Sequence, residues 1–168
     1  MGKALIVYFS LSGNTEKMAQ YIAEGIRFVG QQVDVRKTSA IKNKEQLEGY
    51  DGYIFGSPTY YRDVAEPMKT FLFLARQVNL EGKLAGAFGS YAHDGNAPAI
   101  VMETMEYVFK MEPFELGTLN MLEVMLQEPG RDEPGGSKYV AGEVHGQPGE
   151  GMRACQDYGR TFGEKIAS

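Results

Sequence analysis

The 168-residue sequence contains one cysteine, Cys155, two histidines, His93 and His145, and no tryptophan. A lone cysteine excludes an internal disulfide and any cysteine-based metal cluster, and two imidazoles give a zinc site little support. No apolar run approaches the roughly 20 residues that span a bilayer, so no membrane insertion is expected. Excess positive charge is also missing. Seventeen Lys and Arg against 22 Asp and Glu leave a formal net charge of −5, unsuited to a nucleic-acid binder. The apolar stretch in MGKALIVYFS has no small-residue cleavage site after it and reads as a first core strand rather than a leader. What is present, 43% hydrophobic and 23% charged residues, is ordinary for a globular chain. The expectation is a single cytoplasmic domain over 1–168, because two halves would each be small for a core of their own.

Residues 3–9 are almost continuously apolar, as a strand covered on both faces is. A helix is expected from about Asn14, with Met18, Tyr21, Ile22, Ile26 and Val29 on one stripe and Gly30 as its stop. Further strands are expected over 32–38, 51–57 and 84–90 and from about Phe114, and helices over 43–50, 64–78, 98–111 and 149–167. The 98–111 helix places Val101, Met105, Val108 and Phe109 on one side. The last helix carries Met152, Cys155, Gly159, Phe162 and Ile166 on its stripe, so Cys155 reads as an inert core thiol. This alternation predicts a parallel sheet with helices on both faces, joined by right-handed crossovers. Residues 119–138 hold Pro129, Pro134 and three glycines. They read mostly as loop, inserted into a fifth strand that resumes over 139–145.

In such a sheet the ligand site lies beyond the carboxyl ends of the strands, where the strand order reverses. Three loops leave such ends. The first, Ser10, Leu11, Ser12, Gly13, Asn14 and Thr15, crowds three hydroxyls, a side-chain amide and several backbone N–H groups at a helix N-terminus. Free amides and the helix dipole favour an anion there, and Gly13 permits close backbone approach. The triphosphate motif GxxxxGK[ST] is absent, so the loop suits one phosphate monoester held by neutral donors. The competing reading is a helix cap rich in Ser and Thr.

The second loop, Ser57, Pro58, Thr59, Tyr60, Tyr61 and Arg62, followed by Asp63, adds two adjacent aromatics on which a planar heteroaromatic can stack. Arg62 either faces a developing anion or pairs on the surface with Asp63 or Glu66. The third loop brings Gly89, Ser90, Tyr91, His93 and Gly95, with two glycines for tight turns and polar groups for a ring edge. His93 reads as solvated or bonded to Asp94 rather than as a proton donor, with its backbone still on the ligand. No residue is expected to act as a catalytic nucleophile, and no metal site is expected.

Together the three loops resemble the flavodoxin family. SLSGNT matches the family's T/S-x-T/S-G-x-T, and GSPTYYRDVAEPMKTFL is similar to the flavin loop of the A-type flavoproteins and of WrbA-type quinone reductases. AFGSY-AHDG is most similar to the A-type version. The resemblance implies a flavodoxin-like doubly wound five-stranded parallel sheet of order 2-1-3-4-5. It implies FMN, with its phosphate on Ser10 to Thr15 and its isoalloxazine between the Tyr60–Tyr61 region and Tyr91. The 119–138 insertion is similar to the inserted loop of long-chain flavodoxins.

By the same resemblance the chain is an electron carrier between redox protein partners, as a monomer or small homo-oligomer. The alternative is an NAD(P)H:quinone oxidoreductase. A third reading is a free-standing homologue of a domain that serves a metal-containing subunit. The family's carriers often have glycine where the chain flips a peptide toward flavin N5. The segment Tyr61-Arg62-Asp63 has none, and since non-glycine residues resist φ > 0, strong stabilisation of a neutral semiquinone is not expected. Other doubly wound families fit less well. A dinucleotide fold needs GxGxxG after the first strand, and a response regulator needs acids where Phe9 and Ser10 stand. Low-molecular-weight tyrosine phosphatases have Cys-x5-Arg in the first loop, whereas Cys155 and Arg160 are one residue too close and on the last helix.

Overall fold

Strand β1 (Lys3–Tyr8) sends Leu5 and Val7 to one face of a sheet and Ala4, Ile6 and Tyr8 to the other, and all five are buried. A strand covered on both sides has no polar face, which is why the run reads as continuously apolar. The computed structural model describes residues 1–127 and 150–167. Its main sheet holds β1, β2 (Gln32–Lys37), β3 (Gly52–Gly56), β6 (Leu84–Tyr91) and β7 (Glu112–Leu122) in the order β2-β1-β3-β6-β7. Every neighbouring pair is parallel. Leaving aside a small hairpin, β4 (Thr59–Tyr60) and β5 (Asp63–Val64), this is the expected 2-1-3-4-5 order.

Two cores cover the two faces. Met68, Phe71, Leu72 and Ala75 of α2 (Glu66–Ala75) and Val101 and Met102 of α3 (Ala97–Glu103) pack with Leu5, Val7, Tyr53 and Phe55. On the other face, Met18, Ile22 and Ile26 of α1 (Asn14–Phe28) and Cys155, Tyr158 and Phe162 of α4 (Glu150–Ala167) pack with Ala4, Ile6, Ile54 and Phe88. Burial pushes the Cys155 thiol up to about 12, so it stays neutral.

Four local expectations are corrected. The helix over 43–50 is a single 3-10 turn, Lys44–Leu47: Asn43 and Gln46 close it as a capping box, and Gly49 follows at φ 92°. Helix α2 starts at Glu66, later than expected, because the hairpin takes up 59–64. Beyond Glu103 the third helix widens into a π turn, Thr104–Val108. The extra residue per turn rotates the chain beyond Glu103, so Val108 stands half in solvent while Met105 and Phe109 stay buried. On α4 the inward row is Gly151, Cys155, Tyr158, Gly159 and Phe162, and Met152 faces out.

The fifth strand starts at Glu112 and runs without a break to Leu122, so 119–122 are strand rather than loop, paired with Phe88–Tyr91 of β6. The rest of the proposed insertion from residue 128 on, and its resumption over 139–145, fall outside the described residues. Strand β7 does carry an irregularity: Ala85 pairs with Pro113, but Ala87 pairs with Thr118, so four residues bulge out opposite Gly86. The phenol of Tyr158 fills the gap. It accepts from Ala87 N at 3.0 Å and faces the carbonyl oxygens of Gly117 (2.5 Å) and Ala87 (3.1 Å). Removing a buried hydroxyl that serves three backbone groups strands them without water. Tyr158→Phe is therefore expected to lower stability by about 2 kcal/mol, read from urea unfolding. A loss below about 0.5 kcal/mol would mean the bulge can repair its own hydrogen bonds.

Candidate functional site

The reversal of strand order falls between β1 and β3, and the loops beyond β1, β3 and β6 meet there. Helix α1 begins with Gly13 at φ 95° as its N-cap, and no side chain caps it. The first intrahelical bond is Lys17 N to Gly13 O at 3.0 Å, so the amides of Asn14, Thr15 and Glu16 precede it. This decides against the capping reading of the Ser/Thr-rich loop. Its hydroxyls are engaged elsewhere as acceptors: Ser10 Oγ takes the Gly13 amide at 3.1 Å, and Ser12 Oγ takes Asn14 Nδ2 at 3.3 Å. Each keeps its own proton to donate. Ser12 and Leu11 are exposed, while Thr15 is buried with its Oγ1 2.9 Å from Ser90 Oγ. Glu16, the acid in this first turn, accepts from the Tyr8 phenol at 2.8 Å and lies 3.9 Å from Lys37 Nζ. Burial foremost, and then this carboxylate, raise Tyr8 to about 12. The arrangement fits a phosphate: an uncapped dipole end, donors that are neutral, and the one local carboxylate already bonded.

A cleft of about 650 Å³ opens beside this loop, lined by Leu11, Thr59, Tyr60, Tyr61, Arg62, Ala92, His93, Asp94 and Glu123. That volume lies in the usual range for ligand pockets, roughly 300–1,000 Å³. Tyr61 stands wholly in solvent, and Tyr60 is half-buried. Burial first, and then the charge of Glu123, hold the Tyr60 phenol above its ordinary value, so it remains a neutral donor. Tyr91 ends β6 one residue before the lining begins, paired with Leu122.

Several expected ligand residues are found at structural work. Ser57 is fully buried, its Oγ accepting from Ala65 N at 3.0 Å and donating to Pro58 O at 2.8 Å. Pro58 is buried too. Thr59 lines the cleft, yet its Oγ1 also accepts the first amide of α3, Ala97 N, at 3.0 Å. Gly89 lies inside β6 rather than in a turn, and a Cβ there would fall 2.1 Å from Ser57 O. At Gly95 a Cβ would meet the Asn120 side chain, whose Nδ2 donates to Gly95 O at 2.5 Å. His93 is exposed at the rim, the solvated of its two expected states, and Asp94 is bonded to Arg62.

The second loop adopts the left-handed backbone that non-glycine residues resist. Tyr60 pairs with Asp63 across the hairpin, leaving Tyr61 and Arg62 as a two-residue turn at φ 50° and 62°. With φ > 0 at both positions this is the I′ form of a two-residue hairpin, whose twist matches that of the flanking strands, so the turn geometry overrides the preference of the side chains. Arg62 Nε bonds Asp94 Oδ2 at 3.2 Å instead of Asp63 or Glu66; Asp63 pairs with Lys69. Sequence reasoning missed Asp94, Asn96, Asn120 and Glu123. The first two stand in a loop already singled out, but Asn120 and Glu123 sit on the far edge strand and the turn after it, with no local motif to mark them.

The family model of the Flavodoxin domain matches residues 5–145. A flavodoxin of Clostridium saccharobutylicum is 32% identical over 169 residues, covering 99% of this chain and 96% of its own length. The solved structure of a flavodoxin from the domain Archaea superposes with a TM-score of 0.79 at 27% identity, covering 99% of both chains. An NAD(P)H dehydrogenase (quinone) of Acidithiobacillus ferrooxidans is 36% identical over 110 residues, 54% of this chain, and the match spans about half of that enzyme's length, 55%.

Proposed function

The chain belongs to the Flavodoxin domain family, and from that footing we propose that it binds FMN and carries electrons between redox proteins. The observation that carries the reading is the uncapped N-terminus of α1 beside a ring-sized cleft at the strand-order reversal. FMN, when bound, supplies redox chemistry in one-electron or two-electron steps. The chain's part is to hold it. The hydroxyls of Ser10, Ser12 and Thr15 and the amides after Gly13 hold the phosphate. Tyr60 and Tyr61, which line the cleft, and Tyr91 at the end of β6 would shelter the ring from bulk water. The partner docks over the cleft, where Leu11 and Tyr61 are exposed and free to be covered. The whole of 1–168 acts as a single cytoplasmic domain, and among the described residues no helix is long and apolar enough to cross a membrane.

The partial match to quinone dehydrogenases favours a second reading, direct reduction by a nicotinamide nucleotide. One experiment separates the two. FMN-loaded protein is titrated anaerobically with NADH, NADPH and then dithionite while its absorbance is followed. Bleaching by dithionite alone is the expected result and marks a carrier that needs a protein donor. Rapid bleaching by either nucleotide moves the assignment to the quinone reductase. Failure to retain FMN overturns both.

A further inference from the structure

The Tyr61–Arg62 turn holds two non-glycine residues at φ > 0, a backbone geometry that costs free energy. The contacts that secure it come from another loop. Asn96 Nδ2 donates to Arg62 O at 3.4 Å, and Asp94 Oδ2 accepts from Arg62 Nε at 3.2 Å. Between those two residues, Gly95 O accepts from Asn120 Nδ2 of β7. A line of polar contacts thus runs from the edge strand through the β6–α3 loop to the hairpin, and Arg62 and Asp94 both line the cleft. We propose that Arg62, Asp94 and Asn96 form a clasp between the two loops, closed by the Arg62–Asp94 ion pair, that sets how fast FMN enters and leaves. This rests on the FMN reading; the clasp residues are positioning residues.

The pair is exposed, with side-chain accessibilities of 79% and 51%. Exposed pairs are weak and screened by salt, so the effect is a few-fold and fades as ionic strength rises. Salt dependence is therefore the signature that a merely structural contact lacks.

The turn also supplies a readout free of cofactor, because Arg62 is an exposed trypsin site. In FMN-free protein at low salt, Asp94→Asn and Asp94→Ala should be nicked after Arg62 about three-fold faster than the native chain, with circular dichroism unchanged. Native protein in about 1 M salt should approach the variants' rate, and the variants should respond little to salt. In FMN-loaded protein, the release rate, followed by recovery of flavin fluorescence, should rise by a similar factor. Arg62→Lys keeps the charge and the trypsin site, so it should fall between native and Asp94→Ala. Equal nicking at low salt in all four proteins overturns the clasp. Faster nicking with an unchanged release rate overturns its control of FMN. A native chain that takes up no FMN, while its Asp94 variants are still nicked faster, overturns the flavin reading and leaves a bare loop-to-loop clasp.

Discussion

Ser12→Asp should lower the affinity for FMN about 100-fold while raising the melting temperature of the FMN-free protein. Ser12 is exposed and immediately precedes the N-cap Gly13, so the fold tolerates a slightly longer side chain there. A carboxylate beside the uncapped amides interacts favourably with the helix dipole, worth about 0.3–1 kcal/mol, or about 1–3 °C for a chain of this size. The same charge repels a phosphate. Two unit charges about 4 Å apart near a protein surface interact by about 4 kcal/mol, and partial exposure brings this to about 3 kcal/mol, close to 100-fold. Opposite signs for stability and binding are the diagnostic feature. Fluorescence titration with FMN and with riboflavin, beside thermal melts, checks it. Riboflavin, which has no phosphate, should bind native and variant alike, and neutral Ser12→Asn should stay within about three-fold of native for FMN. Undiminished FMN affinity in Ser12→Asp would remove the phosphate from this loop.

Gly159→Ala should destabilise the chain by about 3 kcal/mol, although alanine is the better helix former by roughly 0.5–1 kcal/mol. The reason is the contact between α1 and α4. A Cβ on Gly159 would lie 1.9 Å from Ile22 O, and one on Gly25 would lie 2.0 Å from Gln156 O. Both obstacles are backbone, which no rotamer change can move, so the helices must separate and the core beneath them loosen. The expected fall in melting temperature is about 6–12 °C. Gly25→Ala should behave alike, and the double variant should cost less than the sum, because helices already parted by one methyl accommodate the second. An additive double variant, or a Gly159→Ala chain as stable as native, would show that the two helices are free to slide.

Residues 3–8 and 52–56 are buried almost throughout, and that environment selects apolar residues one by one, so their strands are legible without any knowledge of neighbours. The first loop is legible for a similar reason: Gly13 and the hydroxyls around it serve the helix directly after them. Val108 and Met152 are misread because a periodic stripe assumes a regular helix lying square on its neighbour. The π turn breaks the first assumption, and at the start of α4 Gly151, pressed against Met121 and Met125, takes the inward place beside Met152.

The five-strand alternation is legible in local residue patterns, the strand order in the chain's likeness to a known family, and the glycine and hydroxyls of the first loop in residues adjacent in the chain. The left-handed turn at Tyr61–Arg62, its attachment to Asp94 and Asn96, the partners of Tyr158 and the places of Asn120 and Glu123 emerge only in the folded chain. These contacts join residues 25 to 71 positions apart, or set backbone geometry against side-chain preference. Their free energy exists only once the sheet has brought its carboxyl ends together, so no local pattern records it.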